Sequence, residues 1–523
     1  MNPRAVASFI LAPSFLFAVI LLSLAPANAP AATLVGDPFV SPTTGWADAF
    51  PPPTRAGNWR LNLHAPTLMD TNNANPPTSG ATSNDGTYQP DVLVKDTFLA
   101  PGTYDLTARM RTNDDDIIGL VWNYQDPNNY FRVGIRTQNA GSFGGTQGLA
   151  VQKIVGGVLT QISPAGTGVG AATPITQAMI NNRTPFDLKV LVDGPNYQVQ
   201  FNGTPIVSGT DPDLAAGRKV GLQSWAQLSD TDETPDPVFW GTELESISVT
   251  QGDAVLYSET FAARPHQWRQ LVMTNATGTV NTGNTASKDD LGNFGIALND
   301  PWIHQVSNGF ENATVNNTDF IGPAIVVDEP GSTDFSDYEM KVRIGATDND
   351  GLGVLVRVQD DNNYYRINFT NEAIGTGTTR APRGMSVQKV QNGTWTELFR
   401  DNQDTPLFVY TPGAAGTKPD TAGFPMFDLS VSAVSNTLAI KVTDHLGNAI
   451  DYPLIVDGTN PLLSGTVGFA TWGTENVYYM NYGGVSGPLL TLVPEPTTIG
   501  LLAITLLGAA RVRRRISQRP LRR

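Results

Sequence analysis

The sequence predicts an all-β protein made of sandwiches, and three observations carry that expectation. Gly and Pro are abundant, at 51 and 38 of 523 residues. Helix-periodic stretches are rare, and short runs of Val, Ile, Thr, Tyr and Phe recur between turn clusters. With 40% hydrophobic and 15% charged residues, the chain reads as folded and long enough for two or three domains. Cysteine is absent, which removes disulfides, thiolate metal sites and cysteine nucleophiles and leaves burial to hold the core.

Residues 1–31 read as a secretory signal peptide. Arg4 is followed by an apolar stretch from Ala5 to Leu24, and small residues near Ala29 to Ala31 offer a cleavage site. Pro13 interrupts the stretch, which disfavours a permanent anchor.

An internal repeat organises the remainder. "YDLTARMRTNDDDIIGLVWNYQDPNNYFRV" (104–133) aligns without a gap to "YEMKVRIGATDNDGLGVLVRVQDDNNYYRI" (338–367), an offset of 234. Phe39 and Trp46 match Phe261 and Trp268 at 222; "GLAVQKI" (148–154) matches "GMSVQKV" (384–390) at 236; "FDLKV" matches "FDLSV" at 241; "VGLQSW" matches "VGFATW" at 247. The order is constant and the offset only grows, as expected for one duplicated domain with later loop insertions. The expectation is a first β-sandwich over 32–251 and a second over 252–488, each too long for a solenoid unit.

Alternation within the aligned block predicts three meandering antiparallel strands per copy. Their core faces would be Leu106, Ala108 and Met110, then Leu120, Trp122 and Tyr124, then Phe131, Val133 and Ile135. In the second copy they would be Met340, Val342 and Ile344, then Val354, Val356 and Val358, then Tyr365, Ile367 and Phe369. Asn128-Asn129 and Asn362-Asn363 would close hairpins, since Asn tolerates left-handed turns. Opposite the core, Arg109, Tyr130 and Arg132, with Arg343, Tyr364 and Arg366, form the candidate ligand-binding set. An aromatic ring beside guanidinium forks suits a sugar or a carboxylate, although the same arginines could simply pair with neighbouring acids.

Asp114 and Asp116, matched by Asp348 and Asp350, are the candidate metal ligands, because clustered carboxylates suit a hard cation such as calcium. The acidic loop after the central strand lies on the order of 20 Å away along it, so the two loops cannot share one ion. Solvated turn aspartates are the competing reading.

The far end is tripartite: Pro494-Glu495-Pro496, an apolar run from Ile499 to Ala510, and Arg511, Arg513, Arg514 and Arg515, followed by a basic tail over 516–523. The run is shorter than the roughly 20 residues that span a bilayer comfortably, so it predicts a short, transient transmembrane helix over 493–515 with its arginines on the cytoplasmic side. This tail resembles the PEP-CTERM sorting signal of Gram-negative bacteria. The resemblance implies delivery to an exosortase, removal of the tail, and a secreted or cell-surface product. Without Arg4 and the segment from 494, the body carries 25 basic and 47 acidic residues, a net −22 that disfavours nucleic acid as a partner.

"TNDDDIIGLVWNYQDPNNYFRV", "GLAVQKI" and "AGRKVGLQSWAQ" (216–227) together resemble the C-terminal lectin-like domain of thrombospondins, more closely in the first copy. That resemblance implies two tandem concanavalin A-like jelly-roll sandwiches, calcium binding, and contacts with extracellular matrix or a cell-surface protein. The same fold also carries glycan lyases and hydrolases, so fold does not settle activity. An alternate-acid pair of the kind glycosidases need occurs at Glu243 and Glu245, with no counterpart near 481–487. The histidines, His64, His266, His304 and His445, are scattered, and no Gly-x-Ser-x-Gly elbow or phosphate loop occurs. The expectation is therefore an exported, exosortase-processed surface or matrix protein that binds polysaccharide or glycoprotein without catalysis. A polysaccharide-degrading enzyme and a purely structural matrix component are the alternatives.

Overall fold

The computed structural model describes residues 32–493 apart from 39–40, 42, 50–58, 63–67, 71–90, 113–116, 137–147, 164–174, 183, 215–217, 226–241, 262–265, 272, 274–293, 298–301, 306–321, 323, 347–350, 371–383, 402–423, 425, 445 and 473–476. Strands dominate. The first half holds β1 (Thr33–Val35), β2 (Trp46–Asp48), β3 (Trp59–Asn62), β4 (Leu68–Asp70), β5 (Asp91–Lys95), β6 (Thr103–Thr112), β7 (Ile117–Asp126) and β8 (Asn129–Arg136). It continues through β9 (Gly148–Val155), β10 (Val158–Ser163), the one-turn helix α1 (Gln177–Asn181), β11 (Phe186–Asp193), β12 (Asn196–Phe201), β13 (Thr204–Thr210), β14 (Lys219–Trp225) and β15 (Thr242–Gln251). There follow β16 (Ala254–Glu259), β17 (Trp268–Gln270), β18 (Phe294–Ala297), β19 (Trp302–Gln305), β20 (Ala324–Val327), β21 (Tyr338–Ala346), β22 (Gly351–Asp360), β23 (Asn363–Thr370) and β24 (Gly384–Gln391). The chain closes with β25 (Thr394–Arg400), β26 (Met426–Val434), β27 (Thr437–Thr443), β28 (Ala449–Asp451), β29 (Ile455–Val456), β30 (Thr466–Trp472), β31 (Val477–Met480) and β32 (Leu490–Leu492).

Two seven-stranded antiparallel sheets carry the repeat. One runs β10-β9-β8-β7-β14-β5-β2 and the other β25-β24-β23-β22-β30-β20-β17, so sequence-matched strands hold matched places. Each packs face to face against a part of one large sheet built mainly from its own half of the chain. Trp122 meets Tyr197 across the first sandwich at 6.3 Å between ring centroids, and Phe369 meets Phe427 across the second at 5.0 Å. The architecture is the expected all-β one, with inner faces interdigitating as in other sandwiches.

The large sheet is continuous. Its path runs β13-β12-β11-β6-β15-β4-β3, crosses to the second half at β18, and continues β19-β31-β21-β26-β27. At the crossing Leu61 stands opposite Ile296, Asn62 opposite Gly295 and Arg60 opposite Ala297. Those residues are themselves related by an offset of 235, as are the β3–β4 and β18–β19 registers. Equivalent edge strands thus pair about a local two-fold axis. "NWRLNLHAPTL" (58–68) and "NFGIALNDPWI" (293–303) are the repeat segment that carries this junction, too diverged to stand out beside the stronger matches.

The meander expectation needs correction. β6 belongs to the large sheet, while β7 and β8 form a hairpin in the seven-stranded one, so the chain changes sheets between 112 and 117. β21 likewise lies apart from β22 and β23. The core faces hold except at Tyr124 and Val358, which turn to the opposite side of the sheet. The cause is a bulge. Asn123 and Arg357 adopt φ of +50° and +53°, and the register against β14 and β30 slips by one residue, between Val121 and Tyr124 and between Leu355 and Val358. One extra residue reverses the alternation beyond it.

The boundary expected near 251–253 falls in the tight turn joining β15 to β16. β16, which opens the second copy in sequence, pairs with β15 of the first. Its repeat counterpart β1, which opens the first copy, pairs with β32, and β32 pairs with β21 of the second. The opening strand of each copy is lodged in the sheet of the other.

Candidate functional site

The twice-written Asp-x-Asn-Asn phrase forms the same turn in both copies. The Asp126 carboxylate accepts from the amide of Asn128 at 2.8 Å and from Asn129 Nδ2 at 3.0 Å through both oxygens. Asn129 Oδ1 in turn accepts from the amide of Gly156, in the neighbouring β9–β10 turn, at 3.0 Å. Asp360, Asn362, Asn363 and Asn392 repeat every one of these bonds. The phrase clamps two adjacent hairpins together, using the Asx capacity to bond backbone two residues on.

The tyrosine and arginine that follow are not on an open face. Tyr130 is 4% exposed, Arg132 1%, and Tyr364 and Arg366 0%. Tyr130 packs with Val92, Val94, Val121, Tyr124 and Ile154, and Tyr364 with Val326, Leu355, Val390 and the edge of Trp395. Arg132 Nε donates to Gln152 Oε1 at 2.8 Å; Arg366 reaches Asn368 Oδ1 at 3.3 Å. Burial pushes both phenols, Tyr130 and Tyr364, above the usual tyrosine range. The seven-stranded sheets are thus buried on both faces. The uninterrupted apolar runs "IIGLVW" and "GLGVLV" are the sequence signal of such strands.

Arg109 and Arg343 sit on the other side of the sandwich, on the outer face of the large sheet, so the structure does not bring them to Tyr130 or Tyr364. Arg109 donates to Asp187 at 3.1 Å and to Glu245 at 3.0 Å. Arg343 forms a two-pronged pair with Asp428, both bonds 2.8 Å. Both guanidinium groups are neutralised where they stand. The carboxylates of Glu243 and Glu245 are likewise engaged, with Arg111 and Arg109.

A lysine of the repeated "VQK" provides an interaction that sequence reading missed. Lys153 binds Asp211 and Asp213, and its counterpart Lys389 binds the buried Asp457 at 2.7 Å, where Tyr365 also donates at 2.7 Å. Each pair ties β9 or β24 to the loop that leads into β14 or β30. Burial alone would raise the Asp457 pKa, but the donors Lys389, Tyr365 and the amide of Thr459 together hold it below the ordinary carboxylate value.

The expected calcium ligands Asp114, Asp116, Asp348 and Asp350 lie outside the described residues, as do Pro494, Glu495, Pro496, Arg511, Arg513, Arg514 and Arg515. Among the described residues no group of three or more His, Asp or Glu could hold a metal ion. No helix among them is long and apolar enough to cross a membrane.

An open groove of about 380 Å³ lies on the large sheet near the turn between β11 and β12. Asp193, Asn196, Gln198, Ser208 and Thr210 line it, with Leu191 as an apolar wall. Its hydrogen-bonding groups are pre-set: Thr210 Oγ1 donates to Asn196 Oδ1 at 2.8 Å, Gln200 Nε2 to Gln198 Oε1 at 2.7 Å, and Thr103 Oγ1 to Asp193 Oδ1 at 3.1 Å.

Residues 492–515 match the PEP-CTERM protein-sorting motif, which implies processing by exosortase and marks a secreted, surface-sorted protein. No protein of curated function matches the sequence. Among solved structures, carbohydrate binding module CBM66 from Bacillus subtilis is similar at 11% identity and a TM-score of 0.28, covering 41% of this chain and all of that one. Mouse laminin alpha1 chain domains LG4-5 are similar at 11% identity and a TM-score of 0.20, covering 89% and 91%. A tetrameric galectin from the ball sponge Cinachyrella is similar at 18% identity and a TM-score of 0.22, covering 31% of this chain and all of that one.

Proposed function

We propose that this chain is an exported, exosortase-processed surface protein whose folded body binds polysaccharide or glycoprotein without catalysis. The observation that carries the reading is the polar groove at the β11–β12 turn. Amide, hydroxyl and carboxylate groups converge there, with no cationic side chain among the described residues that line it, the chemistry that hydrogen-bonds sugar hydroxyls. The net −22 body suits a neutral or cationic glycan better than an acidic one. On this reading the repeated phrase is structural, and the repeats 32–251 and 252–488 form two sandwiches that share one sheet and exchange their opening strands.

Native electrophoresis of the exported protein through gels cast with different polysaccharides tests the reading. Retardation in one gel, abolished by Asn196→Ala with Gln198→Ala, is the expected outcome. Unaltered mobility in all gels would reject glycan binding and leave the structural role. A cleared track would show an enzyme.

A further inference from the structure

The lodging of each opening strand in the other copy's sheet has a consequence for the end of the chain. β16 is held to β15 by the short turn at Gly252-Asp253, with Gly252 at φ +57°. It delivers Tyr257 and Phe261 to Trp46 of the first sandwich, at ring distances of 6.4 and 5.9 Å. The second sandwich therefore lacks its own opening strand, and β1 fills the place. Val35 is fully buried opposite Leu490. The amides of Leu489 and Leu492 donate to the carbonyls of Gly36 and Ala32 at 3.1 and 2.8 Å. Asp37 accepts from Asn481 at 3.0 Å and from Ser486 at 2.6 Å. Leu492 is also the first residue of the matched sorting motif.

We propose that Ala32–Asp37 is a strand donor to the second sandwich, and that the mature N-terminal segment anchors the root of the sorting motif. The interaction is strand addition to a sheet edge, with the main chain supplying the bonds and Val35 the pocketed side chain. Its partner is the edge of β32 in the same chain, so both processed ends of the protein leave the fold from one corner, Thr33 beside Thr491.

Amide hydrogen exchange on the exported protein is the test. In Asp37→Ala, exchange should quicken at least tenfold at Leu489 and Leu492, while β6 and β7 of the first sandwich stay as protected as before. Val35→Asp should extend the loss to β21. Loss confined to the first sandwich would overturn the proposal and assign β1 to the copy it opens. Because the chain has no cysteine, Thr33→Cys with Thr491→Cys gives an independent measurement. A fast-migrating disulfide-bonded monomer is expected. Linked dimers would overturn donation within one chain, and absence of any cross-link would overturn the pairing itself.

Discussion

The phenol of Tyr338 accepts a 2.6 Å hydrogen bond from the backbone amide of Arg357, the residue whose left-handed φ makes the bulge in β22. Tyr104 serves Asn123 in the same way in the first copy. The bulge takes an amide out of the ladder, and the buried tyrosine replaces the lost partner. Removing either hydroxyl leaves a buried donor unsatisfied, so Tyr338→Phe and Tyr104→Phe should each lower unfolding free energy by about 1–3 kcal/mol, read from urea titrations.

The Lys389 and Asp457 side chains are 6% and 5% exposed, so breaking the pair strands a charge. Lys389→Met should cost about 3–5 kcal/mol, and more than Lys153→Met, whose lysine is 19% exposed. The lowered pKa of Asp457 makes its contribution complete above the unfolded value of about 3.9 and lost as pH falls through the folded value. Acid titration of stability should therefore steepen below about pH 4, and Asp457→Asn should flatten that limb.

Glycine at 119 and 353 is required by contact. A Cβ there would lie 1.8 Å from the carbonyl oxygen of Val133, or 2.1 Å from that of Ile367. Backbone cannot yield cheaply, so Gly119→Ala and Gly353→Ala should each cost about 3 kcal/mol or more, measured by thermal unfolding.

The paired arginines should differ in weight. Arg109 is 45% exposed, and Arg109→Ala should change stability by less than about 1 kcal/mol. Arg343→Ala leaves the Asp428 side chain, 12% exposed, without its two-pronged partner, and should cost about 2–3 kcal/mol. Neither substitution should alter mobility in polysaccharide gels, because neither residue lines the groove.

Asp360→Ala removes the acceptor for the Asn362 amide and the Asn363 side chain, and should cost about 1–2 kcal/mol with faster exchange at the amides of both clamped hairpins. Asp126→Ala should do the same in the first copy.

Much of this was legible in residues alone. The all-β class, the repeat, the inward faces of Leu106, Trp122, Val133 and their counterparts, the Asn hairpins and the sorting motif all follow from local pattern, because alternation and turn chemistry act over a few residues. Two expectations depend on features that alternation does not register: the positive φ at Asn123 turned Tyr124 off the core face, and the sheet change after Thr112 separated Arg109 from Tyr130.

Alternation says that a side chain leaves one face; it does not say whether another layer covers that face, and so Arg132 and Arg366 read as exposed when they are buried. By itself the sequence determined the all-β class, the internal repeat and the sorting motif at 492–515. Tertiary structure alone decided that β1 pairs with β32 and β16 with β15, that Leu61 and Ile296 join the halves into one sheet, and that an open polar groove lies beside the β11–β12 turn. The reason is physical: strand pairing is a contact between distant segments, chosen by which edge is left open once the tight hairpins have formed.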